Sequence, residues 1–311
     1  MKYAIISDIH GNMHAFEAVL ADAKAQNVDK YLMIGDYVNM LPYGNEVAER
    51  IRTLENAVVV RGNGEDYLIN LLGKSPEEMT AKQFRPVYWS YNSLSPENLK
   101  YITTLPETAT ITDGDCQVYL SHAPRIFFRT PPIELINPPS ASPIIAAEQL
   151  THEEYLTRTK NQILSNPEIV QEILAMPKGI HLFGHNHLQF HMEHEGRVFI
   201  NPGSCGISIN SNNRAQYTIL TIDGSDWNID ERRIEYDLQQ VVDGMQSTGF
   251  AEYTPEWSKI AEKHLLTAKL YNMAFLQHIV ATGKKMGATE IHGNNDVYDE
   301  AIKTWDIEGV Y

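Results

Sequence analysis

The first sixty residues alternate short apolar runs with helix-like segments, and this alternation most limits the folds available to the chain. Apolar runs at 3–6, 31–34 and 57–60 predict buried strands, while helical spacing of apolar residues predicts helices over 14–25 and 45–54. A β-α-β-α-β order is typical of an α/β domain with parallel strands. Ligands of such sheets bind at the carboxyl ends of the strands.

Two pairs of potential metal ligands share one spacing. Asp8 and His10 follow the first predicted strand, and His185 and His187 follow a later apolar run at 180–183. In an extended chain, side chains two residues apart project to the same side and can bind one ligand together. Each pair therefore predicts part of a metal site at a strand end.

Three further candidate ligands also follow strands. Asp36 and Asn63 follow the second and third strands, and His122 follows an apolar run at 118–121. Imidazole mixed with carboxylate and amide oxygens suits Mn, Fe, Zn and similar ions. Seven ligands are too many for one ion, so we expect two divalent ions.

The rest of the chain predicts more strands and two helical additions. Further strands are expected as a hairpin over 108–121 and at 190–193, 198–200, 217–222 and 227–236. A Pro-rich and then helical stretch at about 124–178 predicts a cap inserted into a domain spanning residues 1–250. Residues 251–311 predict a helical C-terminal extension packed on that domain.

The net charge of −15 restricts the partners. Such an acidic surface repels nucleic-acid backbones and anionic membranes, so we expect neither a long nucleic acid nor a membrane as partner. A small phosphorylated substrate is compatible with this charge, because bound cations reverse the field within one pocket. Two cysteines and the lack of a leader-like apolar stretch predict a cytoplasmic protein. The sequence does not indicate an oligomeric state.

Five short blocks together resemble the calcineurin-like metallophosphoesterase superfamily. In chain order they are DIHGN at 8–12, GD at 35–36, GN at 62–63, SHAP at 121–124 and GHNH at 184–187. The later NPGS at 201–204 is similar to a loop of the small bacterial phosphodiesterase branch, which includes dinucleoside-polyphosphate hydrolases. The resemblance covers residues 1 to about 205. It implies an α/β layered sandwich of two β-sheets flanked by helices.

The resemblance also implies a role for each ligand, with Asp36 bridging two ions. The other six divide into a first site of Asp8, His10 and His187 and a second site of Asn63, His122 and His185. Asp36, Asn63 and His122 are accordingly the expected catalytic residues. A hydroxide shared by the two ions would attack the phosphorus without a protein nucleophile. Mn²⁺ or Fe is the expected metal, with Zn²⁺, Co²⁺ and Mg²⁺ as alternatives.

Four residues within or next to these blocks are candidate substrate-binding residues: Asn12, Arg125, Asn201 and Ser204. Asn12 would contact phosphate, orient a ligand or simply form a turn, and Arg125 would clamp phosphate. Asn201 and Ser204 are also expected to form hydrogen bonds behind the metal ligands.

One position departs from the superfamily pattern. Most members have a His directly after the Gly-Asn pair that protonates the leaving group, whereas this chain has Gly64 followed by Glu65. Arg61 would either neutralise charge on the substrate or form a salt bridge with Glu65, and we expect the salt bridge. Without the imidazole, leaving groups that depart as anions should be preferred.

These features predict hydrolysis of a phosphodiester or phosphoanhydride bond in a small nucleotide, with diadenosine tetraphosphate as a favoured type of substrate. The alternative is a catalytically inactive scaffold for protein–protein interaction that kept the fold. The intact set of seven ligands argues against the scaffold.

Overall fold

The computed structural model describes residues 1–128, 150–209 and 212–311, and its strands form two five-stranded sheets. The first sheet has the order β10-β9-β1-β2-β3, formed by β1 (Lys2–Ile6), β2 (Lys30–Ile34), β3 (Ala57–Val60), β9 (Ala215–Asp223) and β10 (Asp226–Ile234). The second has the order β4-β5-β6-β8-β7, formed by β4 (Thr108–Asp113), β5 (Cys116–Ser121), β6 (Gly179–Leu182), β7 (Gln189–His194) and β8 (Arg197–Pro202).

Helices flank both sheets and continue to the end of the chain. Those of the N-terminal half are α1 (Met13–Ala25), α2 (Gly44–Arg52), α3 (Asn63–Ile69), α4 (Arg85–Ser93) and α5 (Pro96–Thr103). The stretch predicted as a cap contains α6 (His152–Ser165) and α7 (Pro167–Ala175). The C-terminal helices are α8 (Leu238–Ser247), α9 (Phe250–Tyr253), α10 (Pro255–Thr267), α11 (Tyr271–Met286) and α12 (Asn295–Thr304). Short 3₁₀ turns occur at Pro76–Glu78, Lys82–Phe84 and Glu308–Val310.

Strand direction brings the predicted ligands to one edge. β1, β2 and β3 are parallel, and so are β5, β6 and β8 in the other sheet. The antiparallel neighbours β9 and β10 lie on one side of the first sheet, while β4 and β7 form the edges of the second. The loops after β1, β2, β3, β5 and β6 carry the seven predicted metal ligands.

Alternate residues of the strands belong to different layers of the core. Ile5 of β1 lies in the core between the sheets together with Leu120 of β5 and Leu182 of β6. Ile6 belongs to a second core that includes Phe16 of α1. Successive side chains of a strand point to opposite faces of the sheet. A short run that is apolar throughout therefore forms a strand that is buried on both faces.

The C-terminal helices pack against loops at the same end of the sheets. α8, α9 and α10 share a hydrophobic cluster with Leu41 and Ile207, which follow β2 and β8. α10, α11 and α12 form a further cluster around Phe275. The extension therefore lies beside the loops that carry the predicted ligands.

The predicted sandwich of two sheets and the helical C-terminal region are confirmed. Of the predicted cap, the structure describes 124–128 and 150–178, and residues 129–149 lie outside the described residues. Within the described ranges, none of the helices has both the length and the apolar character needed to cross a bilayer.

Candidate metal centre

The predicted ligands form two adjacent clusters. Asp8, His10 and His187 place one ligand atom each within 4.8 Å of one another, and Asp36, His122 and His185 do the same. Asn63 joins the second cluster, because its Oδ1 lies 2.6 Å from Nδ1 of His185. All seven predicted metal ligands are therefore brought together.

Asp36 lies between the two clusters. Its Oδ2 is 3.4 Å from Nε2 of His122 in one cluster and 3.9 Å from Nε2 of His10 in the other. The side chain is buried, and its Oδ1 accepts a 2.7 Å hydrogen bond from the backbone N–H of Gly64. This position between the clusters is compatible with the predicted bridging role of Asp36.

The ligand loops have an unusual backbone conformation. Five of the seven ligands have a positive φ, between 53° and 73°: Asp8, His10, Asp36, His185 and His187. Few non-glycine residues adopt this region, and such residues concentrate at functional sites. Gly35 precedes Asp36 with a φ of 92°, and a Cβ there would lie 2.6 Å from the backbone nitrogen of Gly62.

Hydrogen bonds between loops hold this conformation in place. The backbone N–H of Asp8 donates to the oxygen of Gly35, and that of His10 donates to the oxygen of Asp36, both at 3.0 Å. The backbone N–H of His185 donates to the Asp8 carboxylate at 3.2 Å. The loops after β1, β2 and β6 thus form one connected unit.

Glu65 fixes the loop after β2 relative to the start of α3. Its carboxylate is fully buried and accepts backbone N–H groups of Asp36 and Tyr37 at 2.9 Å and of Gly62 at 2.7 Å. Burial and the charge on Asp36 raise the pKa of Glu65 to about 7. The predicted salt bridge between Glu65 and Arg61 is wrong.

Arg61 instead points to the periphery. It pairs with Asp66 at 2.8 Å and with Glu107 at 3.0 Å. The carboxylate of Glu65 is buried and already accepts three backbone N–H groups, so Arg61 pairs with acids nearer the surface.

The imidazoles are oriented as metal-binding histidines are. Nδ1–H of His122 donates to the backbone oxygen of Ile34 at 2.6 Å, and Nδ1–H of His187 donates to that of Ile207 at 2.8 Å. In both rings Nε2 is then the nitrogen that faces the centre, and a bound ion would displace the proton that it carries when the ring is charged. Nε2 of His122 is buried without a hydrogen-bond partner among the described residues. Backbone carbonyls that fix the tautomer in this way are typical of metal ligands, and the donor set fits two divalent ions.

The charged groups of the site shift one another's pKa values. Burial opposes ionisation of Asp36, but the adjacent His122 holds the pKa of Asp36 well below its usual range. Burial likewise opposes the charge on His122, while Asp36 and Asp8 raise its pKa to about 10. Burial and the charge on His187 lower the pKa of His10 to about 4. The carboxylates are therefore ionised at neutral pH, as metal binding requires.

Three candidates for substrate contact lie behind the ligands. Ser204 Oγ donates to the backbone oxygen of Asp8 at 2.8 Å, and Asn201 Nδ2 donates to that of Gly184 at 2.9 Å. Asn12 caps α1 and donates to the loop after β8. All three are completely buried, which fits the expected hydrogen bonds behind the ligands and leaves their substrate contact without support.

The described part of the predicted cap touches the centre at one point. The ring of Phe128 meets that of His185 edge-on, with 4.6 Å between ring centroids. Arg125 is exposed, and its role as a phosphate clamp stays a prediction.

A cavity of about 470 Å³ opens from the metal centre toward the C-terminal helices. Its lining includes the ligands His10, Asp36 and Asn63, and it continues to His264 on α10 and His292 before α12. These histidines are more than two hundred residues beyond the first ligands and follow no strand, so no local pattern could have linked them to the site. Among the described residues that line the cavity, none belongs to 150–178.

A sandwich of two mixed sheets with paired clusters of Asp, His and Asn at its strand ends defines a binuclear metallohydrolase. Residues 1–225 match the model of the calcineurin-like phosphoesterase superfamily domain, and the chain belongs to this family and is a metal-dependent phosphoesterase. Two candidate sites for the divalent ions are formed by its residues.

Relatives of known sequence or structure agree with this family. The uncharacterized protein MJ0912 of Methanocaldococcus jannaschii is 30% identical over 270 residues, covering 82% of this chain and 94% of its own length. A metallophosphoesterase of Sphaerobacter thermophilus is 25% identical, with a TM-score of 0.58, over 84% of this chain and 100% of that one. The hypothetical protein PH1004 of Pyrococcus horikoshii shares the fold at 18% identity and a TM-score of 0.59, over 86% of this chain and 98% of its own.

Proposed function

We propose that the protein hydrolyses a phosphodiester or phosphoanhydride bond in a small nucleotide, using two divalent ions. The position of Asp36 carries the proposal, because its carboxylate is within 4 Å of imidazole nitrogens from both ligand clusters. Divalent ions about 3.5–4 Å apart lower the pKa of water and neutralise charge on a phosphoryl group.

The residues of the chain position and support this centre. Asp8, His10 and His187 would hold one ion, and the second cluster with Asn63 would hold the other. Asn201, Ser204 and Glu65 would keep the ligand loops in the required conformation. The mixture of nitrogen and oxygen ligands supports Mn²⁺ or Fe first, and Zn²⁺, Co²⁺ or Mg²⁺ as alternatives.

The kind of leaving group that the site can accept indicates the class of substrate. Gly64 occupies the position where most of the superfamily has a proton-donating His, so good leaving groups are favoured. Dinucleoside polyphosphates such as diadenosine tetraphosphate supply such leaving groups and are the first nucleotides to test. A cytoplasmic location is supported by the two unpaired cysteines, Cys116 and Cys205.

A substrate panel tests the proposal. Phosphomonoesters, phosphodiesters and dinucleoside polyphosphates would be assayed with Mn²⁺, Fe²⁺, Mg²⁺, Co²⁺ and Zn²⁺. We expect metal-dependent release of phosphate or nucleotide, fastest with anhydrides and activated diesters, and none from Asp36→Asn. Metal binding without hydrolysis of any member would support the scaffold alternative and contradict the proposal.

A further inference from the structure

The cavity beside the metal centre has two different ends. At one end lie the ligands Asp36 and Asn63, and the opposite wall is formed by α10, α11 and the loop before α12. The third wall comes from the 3₁₀ turn Lys82–Phe84 and from α4. A phosphoryl group bound at the metals would therefore direct the rest of its molecule toward the C-terminal helices.

The lining beyond the predicted ligands is mostly apolar and, among the described residues, includes no Lys, Arg, Asp or Glu. Apolar side chains converge from the 3₁₀ turn, α4, α10 and α11: Phe84, Pro86, Val87, Trp257, Ile260, Ala261 and Leu276. No Lys or Arg is among the described lining residues, and Asp36 is the only carboxylate among them. An additional phosphate would find no compensating cation here, so the far end suits an uncharged group.

Buried polar atoms within this lining lack partners. Oδ1 of Asn39, Oδ1 of Asn272 and Nδ1 of His264 have no hydrogen-bond partner among the described residues. Nε2 of His264 faces the backbone oxygen of Ser208 at 3.1 Å and is therefore the protonated nitrogen, which leaves Nδ1 as an acceptor. The indole N–H of Trp257 is also without a partner among these residues. Three acceptors and one donor on residues that line the cavity are thus buried without a partner among the described residues.

We propose that this cavity binds the base of the substrate, a planar heterocycle with N–H donors and a ring acceptor. The proposal rests on the phosphoesterase function above and names the part of the nucleotide that the C-terminal extension recognises. An alkyl chain would fill the apolar space but would leave the acceptors buried and unsatisfied, which is unfavourable. A nucleobase satisfies both the apolar walls and the polar atoms.

Equilibrium binding of free nucleosides tests the cavity separately from catalysis. Adenosine, guanosine, cytidine and uridine would be titrated calorimetrically into the full-length protein loaded with Mn²⁺, with hexanol as the alkyl probe and inorganic phosphate as the probe of the metals. At least one nucleoside should bind, and hexanol should bind more weakly. Tighter binding of hexanol than of all four nucleosides would overturn the proposal.

Filling the cavity should block the nucleoside. Leu276→Trp on α11 and Val87→Phe on α4 enlarge side chains on different walls. Each should weaken binding of the preferred nucleoside about tenfold or more, since an overfilled site excludes its ligand, and should leave phosphate binding within about twofold. Ala281→Trp, on the exposed surface of α11, is the matched control and should change neither. Equal melting temperatures would show that the variants are folded.

Replacing a polar residue of the lining tests recognition of the base. Asn272→Leu keeps a similar side-chain volume and removes an unpartnered acceptor. It should therefore weaken binding of the preferred nucleoside more than binding of hexanol. Nucleoside binding that survives both filling variants unchanged would overturn the proposal. Nucleoside binding without turnover of any phosphate ester would leave the cavity assignment standing and contradict the enzymatic function alone.

Discussion

The carboxylate of Glu65 accepts the backbone N–H of Asp36 at 2.9 Å, although 29 residues separate the two in sequence. This hydrogen bond involves the backbone of Asp36 and not its carboxylate. It fixes the backbone from which the Asp36 side chain reaches both clusters. The same carboxylate binds Gly62, directly before Asn63. One buried acid thus sets the distance between two ligands of the centre.

We expect Glu65→Gln to weaken metal binding about 10–100-fold, as is typical when a residue supporting a metal ligand is changed. The amide can accept at one atom only, so at least one backbone N–H would face an NH₂ group. Titration with Mn²⁺, followed by calorimetry, would measure the change. Glu107→Gln is the control, because Glu107 is an exposed partner of Arg61 and its loss should change metal affinity little. Wild-type affinity in Glu65→Gln would contradict the positioning role.

The grouping of the predicted metal ligands at one place was predictable because its signal is local. Each follows an apolar strand, and parallel strands end at one edge, so Asp8, Asp36 and Asn63 had to lie together. The direction of Glu65 was not predictable, because an acid at the start of a helix turns outward or inward according to the packing around it. The contribution of α10 and α11 to the cavity wall was also not predictable, because the apolar face of a helix does not indicate which loop it packs against.

Asp36→Asn should empty both metal sites, whereas Asp8→Asn should impair mainly the first. Asp36 Oδ2 lies 3.4 Å from an imidazole of the second cluster and 3.9 Å from one of the first. Asp8 Oδ1 lies nearest to His187 of its own cluster, at 3.4 Å, and is 4.0 Å from His122 of the other. Metal content after equilibration and desalting, measured by mass spectrometry, distinguishes the two variants. Retention of one full equivalent by Asp36→Asn would show that Asp36 serves a single ion.

His264 should make the protein less stable in mild acid. Burial, with smaller contributions from the charges on His187 and His10, lowers the pKa of His264 to about 3. The unfolded chain, with a pKa near 6.5, binds a proton that the folded chain does not, so the stabilisation is complete above pH 6.5 and is lost as the pH falls toward 3. Between pH 7 and pH 5 this group alone should remove about 2 kcal/mol from the free energy of unfolding.

Urea unfolding at both pH values, in wild type and His264→Gln, isolates this contribution of His264. The glutamine can still donate to the backbone oxygen of Ser208 but does not titrate. The variant should therefore lose less stability between pH 7 and pH 5. Identical losses in the two proteins would mean that His264 is not neutral when folded.

Because Gly64 stands where most of the superfamily has a His, we expect turnover to depend steeply on the leaving group. With no imidazole at this position, the leaving oxygen departs without help from that side chain, so activated esters and anhydrides should exceed alkyl monoesters by orders of magnitude. A series of aryl and alkyl phosphate esters, plotted as log(kcat/KM) against leaving-group pKa, measures the slope. A flat plot for the wild type would mean that another acid donates the proton, and His264 and His292 would be the first to examine because they line the same cavity.

Gly64→His should reduce that slope, and the structure indicates how well it will be tolerated. The φ of Gly64 is not positive, so a side chain brings no left-handed strain. Its Cβ would, however, lie 3.0 Å from Oδ1 of Asp36 and 3.2 Å from Nδ2 of Asn39, and one of them must shift by a few tenths of an ångström. Gly64→Ala adds the same Cβ without an imidazole and is the matched control. The alanine variant should lower all rates together and keep the steep slope, whereas the histidine variant should recover the alkyl esters selectively. Equal slopes in the two variants would show that an imidazole at this position does not reach the leaving oxygen.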